Sequence, residues 1–383
     1  MITIKNAKVL YGEDMEVLKT NIIIEDQEIV ELSENHVQGR IVDGQNCIAS
    51  PTLINSHIHI GDSVARDVGD GEPIDKIVKP PKGIKHRILE ETEPSEIVNA
   101  MRSSMEFMLQ TGTTTFVDFR EGGFKGIDLL ETASKDIPIR KIVLGRHESF
   151  QNSTDLSEIK KTAEEILEHC NGIGLSGFGE IKDEITSIIV NVCNDHGKIS
   201  AIHVAEYLAL QEQSLSLNGN TEVQRALNAG FKLLIHMTAP IKDDMKLVGE
   251  SGASVVSCPR SNGALSAGIP HLKDMMDNGI NVLLGTDNVM FNSPNMFSEM
   301  EYALKVTRGY YKTYIAPLDI FKMATVSPAK ALGLKLGSIK EGNIADIMLI
   351  KGLTGDPVLS MINRTEKTNI KTLIKDGDIV FDR

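Results

Sequence analysis

Between residues 51 and 335, apolar β-branched runs alternate with amphipathic ones, and this alternation limits the possible folds more than any other feature of the chain. Strands are expected at 50–59, Thr113–Asp118, Arg140–Gly145, Gly172–Ser176, Ile199–His203, Phe231–His236, Ala253–Ser257 and Ile280–Gly285. Between them, apolar residues recur at helical spacing over 94–109, which a glycine stop at Gly112 follows, and over 157–169, 184–196, 221–228, 273–278 and 295–308. Eight strands alternating with helices predict an α/β fold, a (β/α)8 TIM-type barrel, with its catalytic face at the C-terminal strand ends.

The two ends of the chain read differently. Thr3–Leu10, Asn21–Glu25 and Glu28–Leu32 are short β-type runs separated by polar turns, and Asp346–Ile350, Ile370–Ile374 and Ile379–Phe381 match them near the other terminus. Residues 1–50 plus 336–383 are expected to form one small β-sandwich domain beside a barrel of residues 51–335. The segment 61–92 is rich in Gly, Pro and charge, and reads as a long loop leaving the first barrel strand, placed to act as a lid.

Composition removes several classes of function. The 383 residues carry 53 acidic against 40 basic side chains, a net charge of −13, which argues against sequence-independent nucleic-acid binding and gives no reason to expect an anionic membrane partner. The N-terminal residues lack an apolar signal core, and no apolar span of about 20 residues occurs, so a cytoplasmic location is expected. Cys47, Cys170, Cys193 and Cys258 are scattered without C-x-x-C spacing, which predicts neither a disulfide frame nor a zinc knuckle.

Five residues at strand ends carry the chemistry. His57 and His59 lie two apart, so both imidazoles leave the first strand on one face, spaced to grip a metal ion. His203 ends the fifth strand, His236 the sixth, and Asp287 the eighth, which neighbours the first in a closed barrel. Imidazoles with one carboxylate suit zinc, iron and related ions. His57, His59, His203 and Asp287 are the expected ligands, with Asp287 also placed to take a proton from a bound water. His236 is assigned to orient that water or to stabilise a developing oxyanion. Glu206, three residues past His203, can shuttle protons to a substrate nitrogen. Arg146 and His147, at the end of the third strand, are possible substrate contacts.

The order His57-x-His59, His203-x-x-Glu206, His236 and Gly285-Thr-Asp287 resembles the amidohydrolase superfamily, and within it the branch of cytosine, guanine and methylthioadenosine/S-adenosylhomocysteine deaminases and triazine chlorohydrolases. Ser257–Asn262 with Gly268–Pro270, Ala324–Leu334 and Gly337–Asp346 resemble other segments of that branch. The resemblance implies one divalent metal ion, zinc first and iron or manganese as alternatives, and hydrolytic loss of ammonia from a small heterocyclic substrate. It assigns catalysis to Glu206, His236 and Asp287 and favours a homo-oligomer. The chain departs from the adenosyl-type deaminases after His59, where Ile60–Arg66 stands in place of a Met/Leu/Arg-rich run.

Two other readings compete. A two-metal cyclic amide hydrolase, of dihydroorotase or dipeptidase type, would need a bridging group near the fourth strand, for which Glu180 or Lys182 could serve. A non-catalytic assembly protein would keep the barrel without its ligands, whereas every expected ligand is present here. Glu180, Arg260 and Asn262 join Arg146 and His147 as candidate substrate contacts.

Overall fold

The computed structural model describes residues 1–79 and 83–383. Its centre is a sheet of nine strands, Leu53–His59, Thr113–Arg120, Arg140–Gly145, Gly172–Leu175, Ile199–Val204, Leu233–His236, Ser254–Ser257, Asn281–Leu284 and Asp287–Asn288, each parallel to its neighbours. The last two are halves of one broken strand. Gly285 and Thr286 separate them, and Asp287–Asn288 pairs with Ile58–His59 of the first strand, so the sheet curls back on its own beginning as a barrel. Asn55 clamps this closure: its Nδ2 donates to Thr286 Oγ1 at 2.7 Å and its Oδ1 accepts the Thr286 N–H at 3.0 Å. Gly285 is required here, because a Cβ would lie 2.7 Å from the backbone nitrogen of His57.

The helices Pro94–Gln110, Leu156–His169, Asp183–Asp195, Glu222–Ala229, Leu272–Asp277 and Met296–Tyr310 fall where the periodicity predicts them. The first ends at Gly112, whose φ of +79° suits only glycine without strain. Gly123–Ser134, Leu208–Asn218 and Asp244–Ser251 are further helices that the periodicity left unread.

The terminal strands form two sheets. One has four strands, Glu28–Ser33, Asn21–Glu25, Ile2–Lys5 and Arg40–Asp43; the other has six, Asp378–Asp382, Ile370–Lys375, Ile347–Lys351, Cys47–Pro51, Lys8–Tyr11 and Glu16–Lys19. Ile4, Ile22, Ile24, Val42, Ala49, Ile347 and Leu349 share one buried apolar cluster between them. The last fifty residues are not all β. Asp356 caps a helix at Pro357–Arg364 by accepting the Leu359 N–H at 2.7 Å, and that helix buries Val358, Met361 and Ile362.

The expected lid loop is also mostly helical. Ile60–Val64 forms a 3-10 turn, and Ile74–Val78 and Ile84–Glu91 are helices; Pro80, Pro81 and Lys82 of that stretch lie outside the described residues. Ile77, Ala65, Leu265 and Met290 pack into an apolar cluster of their own, which supplies the burial that the polar composition hides. Among the described residues no helix is long and apolar enough to cross a membrane. All four cysteines are buried and free.

Candidate metal centre

All strands of the barrel run the same way, so their C-terminal ends meet at one face. His57, His59, His203, His236 and Asp287 converge there, each buried or nearly so. Ligand atoms of His57, His203 and His236 lie within 4.8 Å of one another, as do those of His57, His59 and Asp287. The imidazole centroids of His57 and His59 are 4.9 Å apart, and so are those of His57 and His203. Phe119 packs under them, its ring 4.4 Å from His57 and 5.1 Å from His203.

The surroundings fix each side chain. His203 Nδ1 donates to the Leu175 carbonyl at 2.8 Å, which leaves its Nε2 lone pair free for a ligand. Ser261 donates to Asp287 Oδ2 at 2.6 Å. His57 Nε2 lies 3.1 Å and His59 Nε2 3.5 Å from Asp287 Oδ1. His236 and Asp287 hold φ values of +75° and +58°, a left-handed conformation uncommon for residues with a Cβ and found at functional turns.

Burial keeps all four imidazoles below their ordinary pKa and therefore neutral, the form that binds metal. For Asp287, burial pushes the carboxyl up, but the hydrogen bond from His57 and the imidazoles packed around it outweigh that and hold the group well below the usual carboxylate range. Neutral imidazoles around one ionised carboxylate fit a divalent ion. His57, His59, His203 and Asp287 are the residues that would hold it.

Glu206 is beside this cluster, 15% exposed, with Oε1 3.6 Å from His236 Nε2. Burial first, and then the nearby Asp287 charge, push its carboxyl up to about 8. Glu206, His236 and Asp287 bring ligand-type atoms within 4.8 Å of one another.

Of the candidate substrate contacts, Arg146 and Glu180 line the narrow pocket over these residues, together with Ser176, Lys85 and Glu121. His147 faces the adjoining cavity of about 710 Å³ instead, and its Nδ1 lies 2.9 Å from Ser149 Oγ. Asn262 is fully buried with Nδ2 3.2 Å from His236 Nδ1, so it touches the imidazole and supports it from behind. Arg260 falls outside the pocket, because its guanidinium donates to the Ser293 carbonyl at 3.2 Å and its backbone N–H to Glu299 Oε1 at 3.0 Å. Lys182 is also outside, at the N-terminal boundary of the helix Asp183–Asp195.

The sequence reading missed a buried charge cluster. Lys85 Nζ lies 2.9 Å from Glu121 Oε1 and 3.1 Å from Asp62 Oδ2, and Arg146 donates to the same Glu121 oxygen at 2.6 Å. Burial opposes the charge on Lys85 and Glu121, but each is held ionised by the other and by its neighbours. Glu121 was visible as a charged residue just past the end of the second strand. Lys85 had no such signal, since it lies on a helix within a stretch that reads as loop.

Residues 48–380 match the amidohydrolase family. The chain belongs to the amidohydrolase family. Membership makes it a metal-dependent hydrolase acting on carbon–nitrogen bonds, and the His/Asp cluster described above is the candidate site for its divalent ion. This amidohydrolase is 49% identical over 382 residues to a putative aminohydrolase of Methanothermobacter thermautotrophicus, covering 99% of each chain. It is 29% identical over 412 residues to a 5-methylthioadenosine/S-adenosylhomocysteine deaminase of Thermococcus onnurineus, covering 99% of this chain and 94% of the relative. A zinc-bound adenosine deaminase from Xanthomonas campestris shares the fold with a TM-score of 0.87 at 19% identity, over 99% of this chain and 92% of that one.

Proposed function

We propose that this amidohydrolase is a one-metal deaminase that releases ammonia from an amino-substituted heterocycle: a purine, pyrimidine, pterin or nucleoside. The observation that carries this reading is the convergence of Glu206, His236 and Asp287, whose ligand-type atoms lie within 4.8 Å of one another beside the other imidazoles. Glu206, pushed up to about 8, faces the same space as Asp287, which is held well below its usual range. Two carboxyl groups driven apart in this way assign themselves the roles of acid and base.

An ion held by His57, His59, His203 and Asp287 supplies, when bound, the positive charge that activates a water toward attack on the ring carbon. Asp287 accepts the proton of that water. Glu206 delivers a proton to the ring nitrogen and takes back the hydroxyl proton of the addition intermediate, while Asp287 passes the water's proton to the departing amine. His236 steadies the oxygen being added, with Asn262 holding its ring. Arg146 and Glu180 contact the substrate from the pocket wall. Zinc is the favoured ion, since buried imidazole and carboxylate donors suit it; one ion is favoured because Lys182 stands away from the pocket and Glu180, the other candidate bridge, is held on the pocket wall by Gln151 at 2.7 Å.

The deaminase names of relatives make aminopurine nucleosides the first compounds to try, although the Ile60–Val64 turn departs from the adenosyl pattern. The test is ammonia release from a panel of aminopurines, aminopyrimidines, pterins, triazines and nucleosides, run on zinc-, iron- and manganese-loaded protein. Ammonia from one or more of them is expected. Opening of cyclic amides with no ammonia from any amino-heterocycle would replace deamination with cyclic amide hydrolysis.

A further inference from the structure

Glu206 stands on the turn that leaves the fifth barrel strand. The residue before it, Ala205, is fully buried and holds a φ of +50°, a conformation that L-residues rarely adopt unless the surroundings enforce it. Its amide N–H is closed off from water and needs an acceptor within the protein. That acceptor is a side chain: Glu222 Oε2 takes the Ala205 N–H at 2.9 Å.

Glu222 is itself firmly held. It is 3% exposed and opens the helix Glu222–Ala229, whose start is fixed by a capping box between Thr221 and Gln224. Its backbone N–H donates to Gln211 Oε1 at 2.9 Å, and Gln211 Nε2 and Thr221 Oγ1 each donate to Asp244 at 2.6 Å. The turn it supports is also joined to the one after His236, because the Ala205 carbonyl accepts the Ala239 N–H at 2.9 Å and the Val204 carbonyl accepts the Met237 N–H at 3.0 Å. Burial pushes the Glu222 carboxyl up to about 7, and the first interaction to oppose this is the hydrogen bond it accepts from the Ala205 N–H, adjacent to Glu206.

We propose that Glu222 is the positioning residue for Glu206: by accepting the Ala205 N–H it fixes the left-handed turn that aims the Glu206 carboxyl at His236 and Asp287. This inference rests on the reading of Glu206 as the proton carrier. Glu222 borders the same small cavity as His203 and Glu206, and its bond to the Glu206 turn is the one to the Ala205 N–H, so it acts on Glu206 through the backbone.

The test compares zinc-loaded wild type with Glu222→Gln and Glu222→Ala. Glutamine keeps an oxygen for the Ala205 N–H, and alanine removes it. Crystal structures and amide hydrogen exchange over residues 199–210 report the turn without reference to activity. The Ala205 amide is expected to exchange faster and the Glu206 carboxyl to leave its place near His236 in Glu222→Ala, while Glu222→Gln retains both. Ammonia release is then followed with the best substrate of the panel. For Glu222→Ala, kcat is expected to fall about 10- to 100-fold with KM within about twofold, and Glu222→Gln to recover most of it, as for a misplaced catalytic group. An unmoved turn in Glu222→Ala, or an unchanged kcat alongside an inactive Glu206→Gln, overturns the positioning role alone. An active Glu206→Gln overturns the proton-carrier reading, and this role with it.

Discussion

His57 Nε2 lies 3.1 Å from Asp287 Oδ1, and this contact joins the first strand of the barrel to the last. Closure of the sheet and the geometry of the candidate metal centre therefore share the same residues. The pairing of Asp287–Asn288 with Ile58–His59 brings the carboxylate to the imidazoles, and Ser261 holds its other oxygen.

Ser261→Ala removes the 2.6 Å hydrogen bond to Asp287 Oδ2 and leaves the ligand itself intact. Partners behind a metal ligand are typically worth about 10- to 100-fold in affinity or activity. The variant is expected to lose metal at chelator concentrations the wild type withstands, which titration with a competing chelator and elemental analysis would measure.

Lys85→Met takes a buried cation from between Asp62 and Glu121. Removing one partner of a buried pair costs about 3–5 kcal/mol because the remaining charges lose their compensation. Urea unfolding should show a loss of that size. The double variant Lys85→Met with Asp62→Asn should recover part of it, and equal stability of the two variants would contradict the account.

Glu299 is fully buried, and burial pushes its carboxyl from the ordinary 4.5 up to about 7. A folded-state value above the unfolded one contributes stability that is complete below pH 4.5 and lost as pH rises through 7. Unfolding free energy in wild type should therefore decline across that interval. Glu299→Gln, which keeps an oxygen for the Arg260 N–H, should flatten this part of the curve; an unchanged slope would show that other groups set it.

The barrel was legible because strands such as Leu233–His236 are continuous apolar runs ending in a functional side chain, and helices such as Leu156–His169 carry a clear apolar stripe. The convergence of His57, His59, His203, His236 and Asp287 followed from that topology alone. Lys85 was hidden because its helix, Ile84–Glu91, follows a Gly- and Pro-rich stretch and buries a charge where an apolar residue is expected. Pro357–Arg364 was missed for the reverse reason: eight residues between two strands give too short a period to read. Arg260 shows what sequence position cannot tell, since its chain position lies next to Ser261 and Asn262 in the centre while its guanidinium turns to Ser293.

The central claim is that Glu206 carries the proton for a hydrolysis performed at the His57–His59–His203–Asp287 centre. The most direct measurement is paired metal analysis and ammonia release for Glu206→Gln, using the best substrate of the panel. Full metal content is expected, with ammonia release lowered by about 10²- to 10⁴-fold, the range for loss of a general acid–base group. Wild-type rates in a fully metallated Glu206→Gln enzyme would contradict it.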